Sequence, residues 1–328
     1  MKCDKNTNAS ELPAPETLVE AVRVFGNEDV ALRFMAHLRW GGIENACCPR
    51  CGSVRVRFIS TRRVWECKED HASKRFSIKT NTVMEESPLP LGTWLVAIWL
   101  EANAKNSISS YEVHRGLGIT QKSAWFLQQR IRLAMQNGDF FKQLTGDVEV
   151  DETFIGGKAR NMHASKRKAV ITSPGVAGKT AVMGLLARHT GEVRTKVIPN
   201  TKRRTLHPIV REHVELGANV YSDSHPAYVG LDPDYVHEVV DHAECYVRGN
   251  VHTNGLENFW SLFKRCIKGT HVSVEPFHLF RYLDAETFRF NNRKMDDGAR
   301  FFEVVQSVSG KRLTYKSLTG ESQSEFLS

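Results

Sequence analysis

Apolar residues recur at helical spacing between residues 16 and 40: Leu18, Val22 and Phe25, then Val30, Phe34, Met35 and Leu38. Gly26 and Asn27 divide this stretch into two short helices. Residues 1–15 are polar, with Pro13 and Pro15, and read as a loose leader. Residues 90–135 are helical again. Ile108 to Arg115 forms a helix capped by Ser107 or Ser109, a turn with two glycines follows at residues 116–120, and Thr120 caps a second helix over Gln121–Met135. Its buried side carries Ala124, Leu127, Ile131 and Ala134 or Met135.

From residue 147 the period changes. Residues 147–155 alternate as a strand, with further strands at Thr180–Ala187 and Val193–Ile198. Lys202–Leu216 is amphipathic through Leu206, Ile209, Val210, His213 and Val214. Short strands follow at 218–223 and 235–240. His252 to Ile267 is a helix with Leu256, Phe259, Phe263 and Ile267 as its apolar stripe. Three hairpin-type strands, then alternating helices and strands, then a long helix predict a mixed sheet flanked by helices. Beyond Arg293 the pattern weakens into a C-terminal tail, and its end from Ser317 is polar.

Composition narrows the class. A chain of 328 residues, 41% hydrophobic and 25% charged, is globular, and at roughly 150 residues per domain it holds two domains. Lys and Arg exceed Asp and Glu by 45 to 37, a net charge of +8, which favours an acidic partner such as nucleic acid. The longest apolar stretch, Leu89–Leu100, falls short of the about 20 residues a spanning helix needs. No membrane partner is therefore expected. The polar N-terminus lacks the apolar core of a signal peptide, which points to a cytoplasmic location. Seven cysteines, an odd number with a tight group among them, favour a metal site over a disulfide framework.

That group is Cys48-Pro49-Arg50-Cys51, then Cys67 and His71. A C-x-x-C knuckle turns two thiolates toward one metal, and a second pair from another turn completes a tetrahedron of structural zinc. Cys47 competes for the fourth place with His71. Arg55, Arg57, Arg62, Arg63, Lys68, Lys74, Arg75 and Lys79 surround the group and suit a nucleic-acid surface. The two helices after it have the layout of a helix-turn-helix, with Lys122, Gln128, Gln129, Arg130 and Arg132 expected on the exposed face.

Asp151 and Asp223 sit on strands, and Glu257 sits in the first turns of the late helix. Glu257, Ser261, Lys264 and Lys268 share one polar stripe. Phosphodiester cleavage needs a strong nucleophile and neutralisation of transition-state charge, and a pair of divalent cations held by carboxylates supplies both. Ser173–Thr180 nearly spells a phosphate loop, but Ser173 and Pro174 break the pattern and a strand follows in place of a helix. Residues 154–179 hold six basic residues and no acidic one, and suit a DNA-facing loop. Trp260 either packs at the helix–sheet boundary or stacks on a base. Cys245 and Cys266 read as ordinary buried thiols.

The chain resembles the DDE-type insertion-sequence transposases with an N-terminal zinc ribbon, in particular the insertion sequence 1595 family. The matching stretches are CPRCGS and WEC, PLPLGTWLVAIWL, KSAWFLQQRIR, VEVDETFIGGK, VYSDSHPAY, VHTNGLENFWSLFKRCIKGT and RYLDAETFRFNNR, spread over residues 30–293. The resemblance implies an RNase H-like fold in which Asp151, Asp223 and Glu257 bind two Mg2+ ions, with Mn2+ as a substitute. It places Lys264 as the basic residue two turns after the glutamate, and His252 and Asn254 near the metal or the DNA end. Lys268, Arg265, Lys122 and Arg130 are further candidates for DNA contact. The family's ribbon commonly ends in a second cysteine pair, where this chain has Cys67 and His71.

The implied domain order is a helical segment (1–45), a zinc ribbon (46–85), a helix-turn-helix-like region (86–145), an RNase H-like catalytic domain (146–293) and the tail (294–328). The implied reaction cuts DNA at the element's terminal inverted repeats, leaving a 3′-hydroxyl, which then attacks target DNA. Two ends must be held together, so a homo-oligomer on nucleoid DNA is expected. Two other readings stay open: a non-catalytic DNA-binding regulator, and a metal-dependent nuclease that never joins strands.

Overall fold

The computed structural model describes residues 15–136, 142–156, 178–240 and 252–320. The chain divides into two compact units, residues 1–136 with 294–328 and residues 137–293. The first opens with α1 (Leu18–Phe25), started by a reciprocal Thr17–Glu20 cap, and α2 (Glu28–Trp40), capped by Asn27. Both lie where the periodicity of residues 16–40 puts them. An antiparallel sheet follows: β1 (Val56–Ile59), β2 (Val64–Cys67) and β3 (Arg75–Ser77). Trp65 is its centre, fully buried, with the Phe58 and Trp40 rings 4.9 and 5.0 Å away and Phe76 stacked at 5.9 Å. These strands are too short and too basic to show an apolar period.

The helix α3 (Leu91–Asn103) is apolar almost all round and is buried accordingly. Glu28 of α2 caps its first turn, accepting from the backbone of Leu91 and Gly92 at 3.1 and 2.8 Å. The helix-turn-helix layout is present as α4 (Ser110–Leu117), capped by Ser109, and α5 (Gln121–Met135), capped by Thr120. The face expected to be exposed on α5 is not. Gln128, Gln129, Arg130 and Arg132 are all buried. Gln128 and Arg132 share the carboxylate of Glu101 on α3, at 3.0 and 3.1 Å. The Arg130 guanidinium lies over the rings of Trp94 and Phe126 and donates to the Glu85 carbonyl. Lys122 remains exposed at the start of α5.

The second unit is built on a five-stranded sheet of β4 (Asp147–Ile155), β5 (Thr180–Ala187), β6 (Glu192–Ile198), β7 (Asn219–Asp223) and β8 (Val236–Val240). The spatial order is β6-β5-β4-β7-β8. The first three strands are antiparallel to one another, while β4, β7 and β8 run parallel. This is a mixed sheet consistent with an RNase H-like fold. The helix α6 (Arg203–His213) covers one face, burying Leu206, Ile209 and Val210 against Val148, Val150, Met183 and Val220. On the other face lie α7 (Asn254–Cys266) and α8 (Leu279–Asn291), with Leu256, Phe259, Trp260, Phe263 and Leu283 against Val182, Leu186 and Val193. A π-turn, Ile267–His271, ends α7. Each predicted strand of this sheet, and the stripe of α7, lies within two residues of its expected place.

The segment after Arg293 is not a tail. It forms α9 (Asp297–Gln306) and α10 (Tyr315–Thr319) and belongs to the first unit. Phe301 and Phe302 are buried there, with ring centroids 5.6 Å from Phe25 and from Phe34 respectively. Val83 donates to the Val308 carbonyl at 2.9 Å. The leader, the near-phosphate loop, most of the basic 154–179 stretch, and Cys245 lie outside the described residues. Among the described residues no helix is long and apolar enough to cross a membrane.

Candidate functional site

Strand period decides which side chains of the large sheet meet α7. Val148 and Val150 point to α6, so Glu149, Asp151 and Thr153 point to the α7 face. β4 and β7 pair with Val148 opposite Val220 and Glu149 opposite Tyr221. Carrying that register two residues on brings Asp151 level with Asp223 at the end of β7. Glu257 enters from the first turn of α7, where Thr253 Oγ1 lies 3.4 Å from its carboxylate.

Asp151 is half-buried and tightly held. Its Oδ2 accepts from Trp260 Nε1 at 3.0 Å, and its Oδ1 from the Glu152 amide at 2.9 Å. Burial, and then the carboxylates of Asp223 and Glu257, push it up to about 7. Asp223 and Glu257 thus act on Asp151 from two other elements. The Asp223 carboxylate accepts from the His225 amide at 3.1 Å. Lys264, two turns after Glu257, is half-buried. Burial lowers its ammonium and the Asp151 carboxylate draws it the other way. Asn254, Arg265 and Lys268 are exposed along the same helix and its π-turn.

Trp260 is buried, which settles its two readings in favour of packing at the helix–sheet boundary. The indole lies across Gly184, the cross-strand partner of Asp151. A Cβ on Gly184 would sit 2.5 Å from Trp260 Cζ2, so only glycine leaves room for the ring to reach Asp151. Glu152, on the opposite face, is pushed up to about 8, chiefly by burial, and accepts from the Tyr228 hydroxyl.

His252 reaches Glu149 and Arg188. Its Nδ1 lies 3.4 Å from Glu149 Oε1 and 3.1 Å from Arg188. Glu149 and Arg188 were not anticipated from the sequence, nor was the tight seat of Gly255, whose Cβ would meet Glu149 Oε2 at 2.9 Å. The signals were present. Glu149 shares the Asp151 face by period, and a glycine in the first turn of a helix marks a close approach.

In the first unit, Cys48, Cys51, Cys67 and His71 bring their donor atoms to within 4.8 Å of one another. A zinc tetrahedron with Zn–S near 2.3 Å and Zn–N near 2.05 Å has edges of about 3.8 Å between sulfurs and about 3.5 Å from sulfur to nitrogen. Cys51 and Cys67 Sγ are 3.6 Å apart, and Cys48 Sγ is 3.5 Å from His71 Nε2. His71 Nδ1 lies 2.8 Å from the Ala72 carbonyl, the outer contact that orients a ligating imidazole. The donor set fits structural zinc, with His71 in the fourth place and the buried Cys47 outside the set. Exposed Arg55, Arg57, Lys68, Lys74 and Arg75 surround the ribbon, and Glu66 pairs with Lys68 at 3.0 Å and Arg57 at 3.4 Å. Cys266 is a buried thiol on α7.

Comparison with known proteins finds matches to both regions of the chain. Residues 143–291 match the ISXO2-like transposase domain, and residues 26–72 match the transposase zinc-ribbon domain. An uncharacterized protein in transposable element ISH50 of Halobacterium salinarum is 27% identical over 280 residues, covering 82% of this chain and 92% of that protein. An uncharacterized transposase-like protein of Haemophilus influenzae is 35% identical over 106 residues, covering 32% of this chain and 85% of its own length. With its ribbon, its mixed sheet and these matches, the chain belongs to the insertion sequence 1595 family of transposases.

Proposed function

We propose that the protein cuts DNA at the terminal inverted repeats of an insertion sequence and joins the resulting 3′-hydroxyl ends to target DNA, with Asp151, Asp223 and Glu257 as the catalytic acids. The observation that carries this reading is the crowding of Asp151: a half-buried carboxylate that feels two others from separate elements. Such an excess of negative charge matches a site for hard divalent cations, and oxygen donors are what Mg2+ or Mn2+ prefer. Two such ions, when bound, would supply an activated nucleophile and neutralise charge at the phosphate.

The chain's own residues do the rest. Trp260 holds one oxygen of Asp151, leaving the carboxylate in a fixed orientation. Lys264 stands beside Asp151, where an ammonium can take a phosphate oxygen. Asn254, Arg265 and Lys268 extend that basic edge along the DNA. The ribbon's arginines and lysines, and Lys122 at the start of α5, bind the duplex through its phosphates. Arg130 has no part in this, because it is buried. Two DNA ends require an oligomer, formed on the DNA.

The test is incubation of the full chain with labelled terminal-repeat DNA and Mg2+. Strand-joined product is expected. Nicks without joining would favour a nuclease, and a gel shift with neither would favour a regulator.

A further inference from the structure

Beside the three acids, on the same face of the sheet, lies a second charged group. Glu149 is only 1% exposed. Its Oε1 accepts from Arg188 Nε at 2.8 Å, and its Oε2 accepts from the Leu256 amide at 3.0 Å. Arg188 also donates to the His252 carbonyl, and its guanidinium lies 4.1 Å from the centre of the Tyr221 ring. The positions of these partners are informative. Glu149 precedes Asp151 by two residues on the same face of β4. Tyr221 precedes Asp223 by two on β7 and is Glu149's partner in the ladder. Leu256 precedes Glu257 directly on α7. A single ion pair therefore touches all three elements that carry the acids, each within two residues of its acid.

We propose that the Glu149–Arg188 pair is a positioning device that sets the spacing of Asp151, Asp223 and Glu257 and so the affinity of the cation site they form; this rests on the reading of those acids as cation ligands. Stability alone is a poor reason for such a pair, since apolar side chains of the same volume commonly serve as well. Direction is a better one. A carboxylate with one oxygen on the arginine that follows β5 and the other on α7's first turn fixes the angle and the register of that helix. Packing of Leu256 alone would allow it to slide. Gly255 lets the helix sit directly on the carboxylate, and the negative charge suits the helix's N-terminal dipole.

The test is a Mn2+ titration of the full chain without DNA, followed by the loss of the free-ion electron paramagnetic resonance signal, with thermal melting alongside. The variants are Glu149→Asp and Arg188→Lys, with Asp151→Asn marking the site. Wild type is expected to take up Mn2+ in an Asp151-dependent manner. Both variants should stay folded and bind Mn2+ roughly 10–100-fold more weakly, as loss of an outer support does in other metal sites. Unchanged Mn2+ affinity in either folded variant would overturn the proposal. So would unfolding of both, which would make the pair a support of the fold alone. Equal Mn2+ uptake by wild type and Asp151→Asn would sink the prior reading of the acids, whatever the pair does.

Discussion

Asp151 shows at the scale of one residue how a site can be built against stability. It ionises beside two other carboxylates in a half-buried place, and its folded pKa of about 7 lies above the ordinary value of 3.8. An acid raised in this way binds its proton more tightly in the folded than in the unfolded state. The metal-free protein therefore loses stability as pH rises from about 4 to about 7. Asp151→Asn removes that loss. In chelator at neutral pH the variant should melt higher than wild type, by on the order of 2 kcal/mol, while cutting is abolished and DNA binding persists. Melting, nicking and gel-shift assays on one preparation check all three, and equal loss of cutting and binding would make Asp151 structural. Gly184→Ala should act in the opposite sense. Its Cβ would displace the Trp260 ring, costing about 1–3 kcal/mol by denaturant titration and weakening cutting together with stability. The three acids were picked out in the sequence as carboxylates on two strands and in a first helical turn, and their grouping came from the family resemblance. Gly184 and Arg188 were not, because cross-strand register is not written in any one segment.

Among the elements, α5 and the ribbon mark the two limits of what pattern can tell. The bounds of α5 follow from Thr120 and its apolar period. Its exposed face does not, because glutamines and arginines read as surface unless their partner is known, and that partner is Glu101 on α3. The structure therefore predicts that Arg130→Ala lowers stability by about 2–3 kcal/mol through lost packing on Trp94 and a lost hydrogen bond. Lys122→Ala should cost no more than about 0.5–1 kcal/mol, the worth of its ammonium over the Tyr315 ring, and weaken DNA binding. Denaturation and gel-shift titrations separate the two. The ribbon's cysteine spacing was plain in the sequence, but its strands were hidden, since three or four residues around one buried tryptophan carry no period. Its stability must come largely from the metal. The folded chain should carry one zinc by elemental analysis, and its removal by chelator should expose residues 46–80 to protease before the large sheet is attacked.

The chain as a whole returns on itself, which residue patterns beyond Arg293 did not reveal. The helix α9 is short and bears its apolar side as a cluster, Phe301, Phe302, Val304 and Val305, and its partners lie some 270 residues earlier at Phe25 and Phe34. Cutting the chain after Arg293 would leave every residue of the mixed sheet in place. It should nevertheless unfold the first unit, because each of those four buried side chains contributes about 1.5–3 kcal/mol. Loss of cooperative melting and of ribbon zinc would show it. The large sheet was legible because its strands alternate and its helices have single apolar stripes. Length alone gave two domains, but not which segments form them, because the first unit joins residues 1–136 with 294–328. Whether three distant acids form one cation site can be read from diffraction by crystals soaked in Mn2+ and recorded at the manganese edge. One shared site predicts two anomalous peaks, about 3.5–4 Å apart and bounded by Asp151, Asp223 and Glu257. Peaks elsewhere, or none at saturating Mn2+, would contradict it.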